Sequence, residues 1–277
     1  MVYQLVIRIL MKKSQVLINI NNLDEIEEYK KVGITNFLFA IKNLSIGFTS
    51  FDIDEVPDNS YLLINRVFDT DGINMFKEII PKLNRFKGIL FEDLGVFNLL
   101  KHTNIELIWN QAHFVTNYNS INYYLENGCK SAVISNEITS DEITDILNKS
   151  VKPLVLTVLG KNMIMYSRRT LVSNFNNYNN LDDVNDVTIT DVKTNTYFDL
   201  HEDTYGTAVF NKTYFNYINY ANSIDDNKIL YYLIMNKDLS PDKINSILDG
   251  EPFGNDGFLN KKTTYKMSEY DDRRGDK

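Results

Sequence analysis

The chain has 277 residues, 43% of them hydrophobic and 24% charged, with a formal charge of −8 and one cysteine. Those totals fit one large, well-cored domain and exclude a disordered chain, an internal disulfide and a surface that grips nucleic acid by its own net charge. No apolar run approaches the roughly 20 residues of a membrane-spanning helix. With a lone thiol and no Cys or His pair at metal-ligand spacing, the expected compartment is the cytoplasm and no metal site is expected.

Residues 1–13 read as an N-terminal extension: Val2–Leu10 is apolar, but Lys12 and Lys13 follow the run, the wrong order for a signal peptide. Met11 is an alternative start, and deletion of residues 1–10 is expected to leave the fold intact. A rhythm of short apolar run and amphipathic helix then begins. "QVLINI" precedes "NLDEIEEYKKVG", where Leu23, Ile26 and Tyr29 share a face and Gly33 closes the helix. "TNFLFAI" is the second strand and "SYLLINRV" the third, followed by a helix capped at Asp69 or Thr70 with Ile73, Phe76, Ile79 and Ile80 on its apolar side. "GILFEDLG", "IELIWNQ" and "SAVISNE" are the next strands, and "TSDE" at Thr139–Glu142 is a capping box. "KPLVLTVLG" is the seventh.

Strands alternating with short helices predict parallel β/α units. Seven of them without a glycine-rich dinucleotide turn predict a (β/α)8 TIM-type barrel, with an open doubly wound sheet as the alternative. Residues 176–225 read as a β-rich insertion after the seventh strand. Within it "NNYNNLDDVNDV" is a loop, and period-2 alternation across Val187–Phe210 gives hairpins turning at Lys193–Asn195 and Asp203–Gly206. "NKILYYLIMN" is the eighth strand, and "SPDKINSILDG" a helix capped by Ser240 with Pro241 first. The barrel domain is placed at 14–267, and 268–277 is expected to be a disordered tail.

Barrel chemistry gathers at strand C-termini. Here these carry Asn19, Asn65, Arg66, Glu92, Asp93, Asn110, Gln111, Asn136, Glu137 and Gly160. Carboxylates there suit acid–base work or a divalent cation, although polar strand ends also simply meet water. His113 reads as a packed or hydrogen-bonded side chain rather than a base, and Met163 and Met165 as core filler. Arg168 and Arg169 follow the seventh strand by about two turns of helix or an equivalent loop; either one pairs with a neighbouring carboxylate while the other is solvated, or at least one faces the barrel mouth and presents its planar fork to an anion.

"ILFEDLGVFNLL", "IELIWNQAHFVTNYNSINYYLENGCKSAVISNEITSDEI" and "VLGKNMIMYSRRTLVSNF" resemble the peptidase U32 (collagenase-like) family. The resemblance runs from about residue 14 to 267 and is nearest to short bacterial members linked to 5-hydroxyuridine formation in tRNA. "YFDLHEDTYGTAVFN" and "GFLNKKTTYKM" extend it. It implies catalytic roles for Asp93 and Glu137. It also implies a substrate- or anion-binding set of Asn110, Asn117, Lys161, Arg168, Arg169 and Glu202. The implied ligands are a small carboxylate metabolite of the prephenate type and tRNA, the latter reached through a partner that is a second family member. Departures are plain. Leu159–Gly160 followed by Lys161, Asn162 and Met163 stands where many members have His-Gly and a cysteine, and Asn136–Glu137 stands for Arg-Glu. With Cys129 alone, no four-cysteine iron–sulfur cluster is expected. A collagenase-like peptidase and a non-catalytic metabolite-binding or partner-stabilising barrel are the other two functions left open.

Overall fold

The computed structural model describes residues 11–261 apart from 112, 183 and 185. The expectations for residues 1–10 and 268–277 lie outside the described residues. In chain order the strands are β1 (Val16–Asn19), β2 (Asn36–Ile41), the two-residue β3 (Ser50–Phe51), β4 (Tyr61–Ile64), β5 (Gly88–Phe91), β6 (Glu106–Trp109), β7 (Ser131–Ile134) and β8 (Leu154–Gly160). Then come β9 (Met163–Ser167), β10 (Asp186–Asp191), β11 (Thr196–Asp203), β12 (Gly206–Asn211), β13 (Phe215–Asn216) and β14 (Ile229–Met235). The helices are α1 (Glu25–Lys31), α2 (Thr70–Ile79), α3 (Leu94–Leu100), α4 (Tyr118–Glu126), α5 (Ser140–Lys149), α6 (Leu171–Asn179), α7 (Ile218–Ala221) and α8 (Pro241–Leu248).

Strands β1, β2, β4, β5, β6, β7, β8 and β14 pair in parallel around a ring. The ring closes because Leu17 of β1 is in register with Asn36 on one side and Leu233 on the other. This is the (β/α)8 barrel, not the open sheet. Each strand reads as an unbroken apolar run because both its faces are buried. Leu17, Leu38, Leu63, Leu90, Ile108, Val133 and Val155 fill the interior, while Ile18, Phe39, Leu62, Ile89 and Leu156 meet the helices.

Helix starts follow the expected chemistry. Asp69 accepts from the Gly72 amide, Thr139 and Glu142 form the reciprocal box, and Ser240 accepts from the Lys243 amide. Leu23 is the exception: it lies ahead of α1 and stays exposed, leaving Ile26 and Tyr29 to face the core.

The strand N-terminal end is tied by a polar cluster. Tyr61 donates to Glu106 at 2.6 Å and meets the Tyr231 hydroxyl at 3.0 Å, and Lys87 donates to Tyr231 at 2.7 Å. The strands come so close here that a Cβ on Gly88 would sit 2.6 Å from both the Glu106 carbonyl oxygen and the Tyr61 ring. Gly88→Ala is therefore expected to cost about 3 kcal/mol, read as a lowered denaturant midpoint with an unchanged slope.

The β-rich region differs from expectation at its start. Both hairpin turns are present, but the sheet has four strands in the order β10-β11-β12-β9, so it begins at Met163 rather than 176. Met163–Ser167 was hidden because it follows β8 after only two residues and carries an alternation too short to stand out. The supposed loop from Asn176 is helical as far as Asn179, and α6 stops where Asn180 takes the left-handed conformation (φ 53°).

Candidate functional site

The four-stranded sheet lies across the C-terminal end of the barrel strands. Phe210, Ala208, Met163 and Tyr166 pack with Ile46 and Phe48 of the loop after β2. Phe48 and Phe210 meet edge to face at 5.7 Å. Gly47 (φ 80°) lets that loop pass, since a Cβ there would lie 2.6 Å from the Phe210 ring. Arg66, only 3% exposed, binds the two bodies together by donating to the Asn43 carbonyl and stacking 3.6 Å from the centre of the Tyr205 ring.

Between sheet and barrel is a cavity of about 260 Å³. Phe48, Val67, Met163, Tyr166 and Phe210 form its apolar walls, and Glu92, Asn110, Gln111, Asn136, Thr157 and Lys161 its polar ones. Glu92, the first residue after β5, is decisive. It is half-buried in the cavity wall, and desolvation there pushes its pKa up to about 8. The Asn110 amide lies 3.4 Å from one carboxyl oxygen, and the Gln111 amide donates to the Glu92 carbonyl at 2.8 Å. Sequence reading found Glu92 among the strand ends but not among the chosen catalytic pair, because a desolvated carboxyl has no signature in one dimension.

Of the expected residues, Asn110 and Lys161 line the cavity. The Lys161 ammonium is already answered by Asp199 at 3.2 Å and Asp238 at 2.9 Å. Desolvation opposes its charge, but these two partners outweigh it and hold its pKa above the ordinary lysine value. Glu137 stands at the rim, 2.9 Å from Nδ1 of His113, which does line the cavity. His113 is thus hydrogen-bonded, as expected, but to a carboxylate at the mouth.

The remaining five lie outside the cavity wall. Asp93 caps α3 through the Gly95 amide at 2.6 Å and accepts from the Phe68 amide at 2.9 Å. Asn117 caps α4 through the Ser120 amide. Glu202 holds the start of α6. Arg168 pairs with Asp69, and Arg169 is exposed beyond the end of β9. The expectation that one of these arginines faces the mouth is corrected: a strand, not a helical turn, precedes them and carries them to the outer edge of the sheet. Arg168→Ala is expected to leave the melting temperature unchanged, because both members of the pair are about half exposed. Met163, read as filler, is cavity wall, and Met165 is exposed.

Cys129 is buried beneath α4, and burial pushes its thiol up to about 12. Among the described residues no group of three or more His, Cys, Asp or Glu side chains is placed to hold a metal ion. No helix among them is long and apolar enough to cross a membrane.

The model of peptidase family U32 matches residues 53–227. No curated protein matches the chain. Among solved structures, the U32 peptidase Mk0906 is similar at 10% identity and a TM-score of 0.44, over 60% of this chain and 74% of that one. A chitinase from Chromobacterium violaceum ATCC 12472 is similar at 10% identity and a TM-score of 0.40, over 89% of this chain and all of the other.

Proposed function

The chain belongs to peptidase family U32, and from that premise we propose that it is a tRNA uridine hydroxylation factor holding one nucleobase in the mouth cavity. The observation that carries this reading is the place of Glu92 in the wall of a small chamber beside Asn110 and Gln111, where desolvation raises its pKa to about 8 and favours the protonated form at neutral pH. A neutral carboxyl offers one O–H donor beside one carbonyl acceptor, the complement of the N–H and C=O edge of a uracil. Asn110, Gln111 and Asn136 add amides that both donate and accept. At about 260 Å³ the chamber is below the usual range for drug-sized ligands and suits a single ring.

Replacing C5–H by C5–OH is a two-electron oxidation; with dioxygen as co-substrate one oxygen atom enters the C5–OH and the other leaves as water, so a reductant must supply two electrons and two protons. The chain's own part is to bind the base, exclude water and move protons, with Glu92 as the acid–base group. A small carboxylate metabolite would meet the amides and protonated Glu92 rather than a free cation, since Lys161 is already paired. Because the chain carries a charge of −8, this reading assigns much of the phosphate contact to a basic partner, such as a second family member.

One observation favours the peptidase alternative. The His113–Glu137 pair at the rim is built like a base that activates water, with Nε2 left for the attack. Cys129 offers no nucleophile in that scheme, being buried and protonated. The deciding experiment is nucleoside mass spectrometry of tRNA from cells lacking the gene, complemented with wild type or Glu92→Gln, beside incubation of both proteins with denatured collagen. 5-Hydroxyuridine restored by wild type alone supports the proposal. Unchanged nucleosides with collagen cleavage abolished by His113→Ala would replace it with the peptidase.

A further inference from the structure

A second hollow, of about 660 Å³, opens on the barrel flank between the first turns of α3 and α4. Two of its wall residues, Gln111 and Phe114, also line the mouth cavity, so the two spaces share a partition. Its rim exposes three large apolar side chains: Leu94 at 50%, Phe114 at 65% and Tyr123 at 61%. Surface clusters of this kind mark interaction sites rather than idle surface. Its deeper wall is Trp109, 3% exposed, with Tyr124 against the indole at 4.0 Å between ring centres. The buried indole nitrogen of Trp109 has no hydrogen-bond partner among the described residues. That nitrogen is closed off within the wall, and the polar groups open to a ligand in the hollow are those of Gln111, Asn119 and Ser120.

We propose that this hollow seats the nucleobase adjacent to the one in the mouth, which rests on the nucleobase reading above and extends it from a single base to a single-stranded segment. Phe114 and Tyr123 supply π-faces, on which any base stacks. Gln111, Asn119 and Ser120 supply edge contacts that a flat heteroaromatic ring with donors and acceptors would use and a phenylalanine side chain would not. Among the described residues no lysine or arginine lines the hollow, so stacking rather than phosphate pairing holds this second base.

Trp109 is the only tryptophan of the chain, so its emission reports on this hollow directly. The test compares uridine with a uridine trinucleotide, following Trp109 fluorescence and binding heat in the full chain. The trinucleotide is expected to bind about tenfold tighter than uridine and to change the emission, as one stacked base predicts. Tyr123→Ala and Leu94→Ser are expected to reduce the trinucleotide to the affinity of uridine, leave uridine binding unchanged and preserve the melting curve. Uridine and trinucleotide binding equally, with Tyr123→Ala silent, would overturn this inference and leave the mouth reading standing. If neither binds, both fall. An emission change caused by a phenylalanine-containing dipeptide but not by the trinucleotide would assign the hollow to a peptide and overturn the inference.

Discussion

Glu92→Gln is expected to make the protein more stable and inactive at the same time. The pKa of Glu92 is raised from its ordinary 4.5 to about 8 in the folded protein. Between those values the unfolded chain releases a proton that the folded chain keeps, so wild-type stability falls as pH rises through this window. Below about 4.5 both states are protonated and the contribution is flat; above about 8 the full penalty is present. Each pH unit within the window is worth about 1.4 kcal/mol. Glutamine has the shape of the neutral carboxyl and no proton to lose. The variant should therefore gain a few kcal/mol at pH 7 to 8, about 5–10 °C in melting temperature for a domain of this size, and nothing at pH 4. Activity should fall by about 100-fold or more, the usual worth of a positioned acid–base group. Thermal melts of both proteins across pH 4 to 9, paired with the nucleoside assay, check both halves. A variant less stable than wild type at pH 8 would mean that Glu92 is ionised and hydrogen-bonded instead.

The other large effect is expected at Glu202. Its side chain is 3% exposed and accepts four hydrogen bonds: from the Val172 amide at 2.7 Å, the Ser173 amide at 2.9 Å, the Ser173 hydroxyl at 2.5 Å and the Thr207 hydroxyl at 2.6 Å. Burial alone would raise its pKa, but these donors outweigh desolvation and hold it below the ordinary carboxylate value. Glu202→Ala leaves two backbone N–H groups of the first turn of α6 without partners and should cost about 3 kcal/mol. Its stabilising effect is complete above pH 4.5 and is lost as pH falls through the depressed folded value, opposite in sense to Glu92. Because the sheet that Glu202 braces also roofs the cavity through Met163, Tyr166 and Phe210, the substitution has a remote consequence. Water reaching the cavity should lower the Glu92 pKa toward 4.5. Hydrogen exchange at Val172 and Ser173 would report the local loosening. Unchanged protection there would show that α6 is held by its packing alone.

The barrel was legible because its information is local. Runs such as Leu154–Leu159 are apolar on both faces, and Asp69, Thr139 and Ser240 announce the helices that follow. Asn110 and Lys161 line the mouth cavity and Glu137 stands at its rim, because a strand end fixes a location even where it leaves the role open. Function was harder to read, because the same residue types do structural work. Asp93 and Asn117 look reactive in sequence yet cap helices, and Glu202 finds its donors some thirty residues earlier in the chain. Glu92 differs from Asp93 only in what surrounds it. The cavity it borders is also lined by Phe210 and Met163, brought over the mouth by a sheet whose first strand lies hidden in the sequence.

Everything proposed for the mouth cavity depends on Glu92 being uncharged there at neutral pH. Infrared difference spectra of isotope-labelled wild type minus Glu92→Gln, recorded across pH 4 to 9, test it without any assumption about substrate. One protonated carboxyl band is expected, present at pH 7 and lost with a midpoint of about 8. A carboxylate band already complete at pH 6, with a midpoint near the ordinary 4.5, would contradict it.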